Sequence, residues 1–69
     1  MNYPVGYTGE INIRELPVGA IFRSLEGKWE GKIVADESGR RGIAVRNGQT
    51  FLIPKDYRLF VEIVTYSGV

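Results

Sequence analysis

Residues 20–35 read AIFRSLEGKWEGKIVA, and this stretch decides the fold. Two runs rich in apolar residues flank Glu26-Gly27-Lys28, a short glycine-centred turn, which is the arrangement of a β-hairpin. The second run alternates apolar and charged positions and begins with Trp29, the single tryptophan of the chain. The first run is apolar on both sides, as is typical of a central strand. The hairpin is therefore predicted to be scaffold, and its expected core residues are Ile21, Leu25, Ile33 and Trp29.

A second hairpin is predicted downstream, around Asn47-Gly48. This dipeptide is typical of two-residue type I′ turns, in which both residues adopt positive φ. A two-residue loop places Ala44 opposite Phe51 across the strands of residues 41–46 and 49–53. Both faces of this hairpin are partly apolar. We therefore expect either that both faces are covered or that Phe51 lies on a binding surface.

The remaining segments complete a small all-β domain. Residues 10–16 alternate with period two and predict a half-buried strand or an extended loop leg. Residues 54–58 predict a turn or a single 3-10 turn, and residues 59–66 alternate as the last strand. Short strands separated by short turns, with no helical period of useful length, favour a small five-stranded β-barrel. The predicted boundaries are an extended N-terminal arm over residues 1–8, the barrel over residues 9–66 and a tail over residues 67–69.

Composition limits the possible classes of function. The 69 residues suffice for one domain and include neither cysteine nor histidine. Disulfides are therefore excluded, and a zinc site lacks its usual ligands, so we predict no metal and no cofactor. No secretory signal is present, and no apolar run reaches the roughly 18–20 residues of a membrane span. These features favour a soluble cytoplasmic protein, in which self-association as a homo-oligomer could supplement a small core.

Charge is distributed unevenly along the chain. Residues 1–37 carry four basic and six acidic side chains, whereas residues 38–60 carry five basic and one acidic. This asymmetry predicts one basic side, which is either a solvated rim or a surface that neutralises phosphates. In the second case Phe51, Tyr57 and Trp29 would be its aromatic partners, because exposed aromatic rings stack on bases. The predicted nucleic-acid-binding residues on this basic face of residues 40–58 are Arg40, Arg41, Arg46, Lys55, Arg58 and Phe51.

Short pieces of the sequence resemble the Src-homology-3 (SH3) family of small barrels. Residues 15–22, with Glu15-Leu16 followed by Gly19, are similar to the end of the long first loop of that family. Residues 27–32 resemble its tryptophan-bearing strand, and residues 53–57 resemble the proline-to-tyrosine 3-10 turn before its last strand. The resemblance implies an SH3-like barrel with a short 3-10 turn before the last strand and a groove for proline-rich peptides. By position, the residues of this aromatic groove would be Tyr7, Trp29, Pro54 and Tyr57.

Enzymatic chemistry is not predicted, and no residue is assigned a catalytic role. Asp36 and Glu37 are adjacent acids in a loop, whereas an acid–base pair needs burial and a partner. No histidine is present to activate a serine. We expect a non-enzymatic binding module, with nucleic acid as the first candidate partner. The alternatives are a protein–protein interaction or regulatory inhibitor module that uses the aromatic groove, as in a phage- or plasmid-encoded accessory protein, and a homo-oligomer that binds a small anionic ligand.

Overall fold

The computed structural model describes residues 3–67 and contains one antiparallel β-sheet. Its strands are β1 (Thr8–Asn12), β2 (Ala20–Ser24), β3 (Glu30–Ala35), β4 (Arg41–Val45), β5 (Thr50–Leu52) and β6 (Arg58–Tyr66). Across the sheet their order is β1-β6-β2-β3-β4-β5, so β1 and β5 are its two edges and the sheet is not closed. The all-β prediction is confirmed, but the sheet has six strands rather than five.

The additional strand comes from the segment that was predicted as a strand or a loop leg. Thr8–Asn12 pairs with β6, and the chain then turns through a 3-10 helix at Ile13–Glu15. The prediction of a 3-10 turn before the last strand is wrong. Residues 54–58 contain a turn in which Asp56 has φ +59, a value outside the 3-10 range. No helix between residues 3 and 67 is long and apolar enough to cross a membrane.

The core lies on one face of β2, β3 and β6. Phe22 and Ile33 are completely buried there, whereas Leu25 is 42% exposed and Ile21 is half-buried. The prediction is therefore confirmed for Ile33 and wrong for Leu25 and Ile21. The reason is that Arg23 lies on the same face of β2 as Ile21 and needs solvent, so β2 packs by its other face, and Leu25 lies beyond the end of β2 in a turn. The buried apolar residues are Ile11, Ile13, Leu16, Ala20, Phe22, Ile33, Ile43, Ile53, Val61 and Ile63.

The segment before β1 lies along β6. The Gly6 N–H donates to the Ile63 carbonyl at 2.8 Å, and the Ile63 N–H donates to the Tyr7 carbonyl at 2.9 Å. The Tyr66 hydroxyl donates to the Tyr3 carbonyl. The two backbone bonds extend the β1–β6 pairing to Tyr7 and Gly6, before which the chain turns, and the Tyr66 bond holds Tyr3 near the end of β6. The first two residues of that arm and the last two of the predicted tail, at positions 1, 2, 68 and 69, lie outside the described residues.

Candidate functional site

The loop between β4 and β5 has three residues, Arg46-Asn47-Gly48. The Val45 N–H donates to the Gln49 carbonyl at 2.9 Å, and the Gly48 N–H donates to the Val45 carbonyl at 3.0 Å. Gly48 has φ +93, whereas Asn47 does not adopt positive φ. This is the common three-residue loop in which a type I turn is followed by a glycine bulge. The prediction of a two-residue type I′ turn is therefore wrong.

The longer loop shifts the strand register by one residue. Phe51 lies opposite Ile43, not opposite Ala44 as predicted. A shift of one residue moves a side chain to the other face of its strand, so Phe51 shares the face of Ile43, which is buried. The Phe51 side chain therefore lies beside Ile43, on the side of the hairpin that faces the core. Phe51 itself is 51% exposed, as the binding-surface interpretation of this hairpin expected.

A groove of about 1000 Å³ opens beside this hairpin, between the start of β3 and the segment that precedes β6. We call it the aromatic groove, because its wall includes Trp29, Phe51, Pro54 and Tyr57. Three of the four residues that the SH3 resemblance placed in a groove therefore lie together. Phe51, predicted for a nucleic-acid surface, lies with them. Tyr7 is not among them, because its ring packs against Tyr3 with ring centroids 4.8 Å apart.

Trp29 belongs to both the core and the groove. The indole is half-buried, and its ring meets Phe22 edge to face with centroids 5.6 Å apart. Gly27 and Gly31 carry no side chains, and the indole ring occupies the space that side chains there would fill. A Cβ on Gly27 would lie 2.6 Å from Trp29 Cδ1, and one on Gly31 would lie 3.1 Å from Trp29 Cζ3. The indole is thus held by its surroundings, with part of its surface left on the groove wall.

The rim of the aromatic groove carries more positive than negative charge. Arg23, Lys28 and Arg46 line it together with one carboxylate, that of Glu30. Arg23 forms an ion pair with Glu62 at 3.3 Å, which is the single ion pair among residues 3–67. Within that range, the Lys28 and Arg46 side chains therefore have no carboxylate within 4.0 Å. These two cations remain for an anionic ligand.

The structure does not bring the predicted basic residues into one groove. Arg46 lines the aromatic groove, whereas Arg40 and Arg41 line a second cleft. Lys55 lies in the turn before β6, and Arg58 begins β6 opposite β1. The predicted basic face of residues 40–58 is thus divided between two grooves, and neither Lys55 nor Arg58 lines either of them.

The second cleft has a volume of about 360 Å³ and is lined by three arginines. We call it the arginine cleft, and its lining residues are Arg14, Gly39, Arg40, Arg41, Leu52 and Ile53. Arg14 was not predicted as a site residue. It comes from the 3-10 helix after β1, far along the chain from Arg40 and Arg41. Only the tertiary fold brings these residues together, so local sequence patterns contain no signal for this cleft.

The loop that carries Arg40 is closed by Asp36. One Asp36 carboxylate oxygen accepts hydrogen bonds from the Ser38 hydroxyl at 2.7 Å and from the Arg40 backbone N–H at 2.9 Å. These bonds favour the ionised carboxylate and hold the pKa of Asp36 below its usual value of 3.8. The carboxylate therefore orders its own loop, and it forms no ion pair with Arg40.

The two candidate sites adjoin at the edge strand β5. Leu52, which is 60% exposed at the end of that strand, lines both the aromatic groove and the arginine cleft. A ligand that follows β5 would therefore meet aromatic rings on one side and guanidinium groups on the other. Comparison with known proteins assigns no family: no protein-family model matches the chain, and no curated protein or solved structure is significantly similar to it.

Proposed function

We propose that this chain is a non-enzymatic binding module that binds single-stranded nucleic acid in the aromatic groove. The observation that carries this proposal is the placement of Trp29, Phe51 and Tyr57 in one open groove. Stacking of a base on an aromatic side chain contributes about 1–3 kcal/mol and requires no particular base. Lys28 and Arg46 at the rim supply positive charge for the phosphates. A purely apolar groove would lack this charge.

Single strands suit this groove better than duplexes. In a duplex the faces of the bases are covered by their neighbours, so they cannot stack on Phe51 or Trp29. A duplex would instead require a broad cationic surface along its backbone. Arg46 and Arg40 line different grooves and Arg58 lines neither, so no single groove gathers these cations.

We further propose that the fold is an SH3-like barrel that is partly open. The register of β2 against β6 shifts between Ile21 and Phe22, and such irregularities bend a strand from one layer into another. The two ends of the sheet are also tied to each other. Arg14 Nη1, in the 3-10 helix after β1, donates to the carbonyl of Ile53, directly after β5, at 2.9 Å.

A second candidate function is the binding of a proline-rich peptide in the same groove. It rests on the meeting of Trp29, Pro54 and Tyr57, the positions that the SH3 resemblance assigns to peptide binding. Aromatic-lined grooves accept the preformed polyproline II helix with little loss of entropy. The two candidates differ in their dependence on salt. Nucleic-acid affinity falls steeply as salt rises, whereas peptide affinity in an apolar groove changes little.

The deciding experiment follows the fluorescence of Trp29 during titration with single-stranded oligonucleotides, duplexes and a proline-rich peptide. We expect saturable binding of single strands that weakens between about 50 and 200 mM salt. Phe51→Ala should weaken it about 5- to 150-fold, the range of one lost stacking contact. Phe60→Ala is the matched control, because Phe60 is 47% exposed but does not line the groove.

Three outcomes would contradict the nucleic-acid proposal. The first is the absence of single-strand binding at about 50 mM salt. The second is an equal loss of affinity in Phe51→Ala and Phe60→Ala, since the contact would then lie outside the groove. The third is salt-independent binding of the peptide alone, which would favour the second candidate function.

A further inference from the structure

The arginine cleft concentrates positive charge, and the Asp36 carboxylate, whose charge acts on Arg40, forms no ion pair with it. Arg14, Arg40 and Arg41 line it, and none of its other lining residues is acidic. None of these arginines forms an ion pair with a carboxylate of residues 3–67. Three guanidinium groups that share one small cleft repel each other, and an anion between them removes that repulsion. The charge of the cleft therefore favours an anionic ligand.

Two of the guanidinium groups are already held in place. Arg41 donates from Nη1 to the Leu16 carbonyl at 2.7 Å and from Nη2 to the Arg14 carbonyl at 2.9 Å. Arg14 donates from Nη1 to the Ile53 carbonyl at 2.9 Å. Carbonyl groups orient a guanidinium without neutralising it. Because each guanidinium has five N–H donors, these bonds leave three donors of Arg41 and four of Arg14 unused.

Arg40 completes the cleft from an ordered loop. Its backbone N–H donates to Asp36 Oδ1, and its carbonyl accepts from the Asp36 N–H at 2.9 Å. The side chain makes no hydrogen bond within residues 3–67 and is exposed. The loop thus fixes the Cα of Arg40 and leaves its guanidinium able to close over a ligand. Preorganised donors reduce the entropy lost on binding.

We propose that the arginine cleft is a phosphate-binding site. Planar guanidinium groups match the oxygens of phosphate with paired hydrogen bonds, and a dianion gains more from three cations than a carboxylate does. The site does not depend on base stacking, so it stands apart from the function proposed above. The phosphate group has two possible sources, a small phosphorylated molecule or the backbone of a strand that continues past Leu52.

The test uses NMR of the arginine Nε–Hε groups in the whole chain. With inorganic phosphate added at constant ionic strength, the signals of Arg14 and Arg40 should shift saturably, with a dissociation constant on the order of 1 mM. The signal of Arg23, which lies outside the cleft and is paired with Glu62, should stay in place. An abasic sugar-phosphate oligomer, which cannot stack, tests the strand as the source. The oligomer should displace inorganic phosphate if the nucleic-acid backbone is the ligand. Chloride alone should shift none of the arginine signals.

Arg40→Ala is the most direct variant, because it removes a free side chain and leaves the loop hydrogen bonds of Asp36 intact. We expect phosphate affinity to fall about tenfold or more, and Arg40→Lys to restore part of it. Lys32→Ala, an exposed cation on β3 that lines neither site, should change nothing. Equal shifts at Arg23, a non-saturating response, or equal effects of Arg40→Ala and Lys32→Ala would overturn the proposal. Phe51→Ala should leave phosphate binding intact, which separates this test from that of the aromatic groove.

Discussion

Two regions of the sheet contain similar apolar residues but expose them differently. In the packed region, formed by β1, β6 and β2, Phe22 is completely buried. In the exposed hairpin, formed by β4 and β5, Phe51 is 51% exposed. Both rings lie on the core-facing side of their strands. The difference teaches that residue type alone does not decide burial, and that the other parts of the chain that cover each strand do.

The two phenylalanines also lie on strands with different surroundings. β2 has β6 on one side and β3 on the other, whereas β5 pairs only with β4. None of the residues in Thr50–Leu52 is buried. An edge strand that keeps exposed apolar side chains is a feature of interaction surfaces, since such patches are uncommon on surfaces that bind nothing. We therefore expect stability to depend mainly on the packed region and binding mainly on the exposed hairpin.

The largest expected effect comes from removing the same ring in each region. Phe22→Ala should lower the free energy of unfolding by about 3–5 kcal/mol, because it leaves a cavity in the core. A domain of this size has only a few kcal/mol to lose, so this variant should be largely unfolded. Phe51→Ala should change stability by about 0.5 kcal/mol or less. Urea unfolding followed by circular dichroism measures both, and equal losses would remove the distinction between the regions.

A smaller effect is expected at Gly42, where the exposed hairpin is held to the rest of the sheet. A Cβ at this position would lie 2.8 Å from the backbone oxygen of Phe51, which cannot rotate away. Gly42→Ala should therefore separate β4 from β5 and cost about 1–3 kcal/mol. In amide hydrogen exchange, Ile43 and Phe51 should lose protection while Ile63 keeps it. Equal loss at all three positions would mean that the two regions open as one unit.

The smallest effect concerns the pH dependence of the loop at Asp36. The depressed pKa of this carboxyl means that its contribution to stability is complete above about pH 3.8, its usual pKa, and is lost as pH falls through the lower pKa of the folded state. Asp36→Asn should remove this dependence. The measurement is the acid titration of unfolding for both proteins. A difference that grows above pH 5, rather than disappearing on acidification, would contradict the prediction.

The strand pattern of this protein was readable because period-two alternation is local. In β3, the alternation of Ile33 with Lys32 and Val34 correctly indicated which side faces the core. In β2 both sides are apolar, and the one local signal that favours Phe22 over Ile21 as the buried residue is the charge of Arg23, which shares a face with Ile21.

The candidate site was less predictable, because a shift of one residue in the strand register changes which side chains can line it. Both possible hairpin loops use Gly48 at positive φ, so the dipeptide Asn47-Gly48 does not distinguish them. The loop that forms decides whether Phe51 lies opposite Ala44 or opposite Ile43. The arginine cleft had no local signal at all, since it requires Arg14 to meet the end of β5. Trp29, Pro54 and Tyr57 were assigned to a groove by their resemblance to a family, whereas Phe51 was singled out from the pattern of its hairpin.

The place of β6 in the sheet has a consequence for the order in which the molecule is made. β6 follows every other strand along the chain, yet it lies between β1 and β2. A ribosome therefore releases β2 to β5 before β6, and these four consecutive strands can pair with one another through their short turns. β1 has no partner strand until residues 58–66 emerge, and contacts between distant parts of a chain form slowly. Until β6 has emerged, Phe22 and Ile33 stay accessible to chaperones. The core is therefore completed by the strand that is synthesised last.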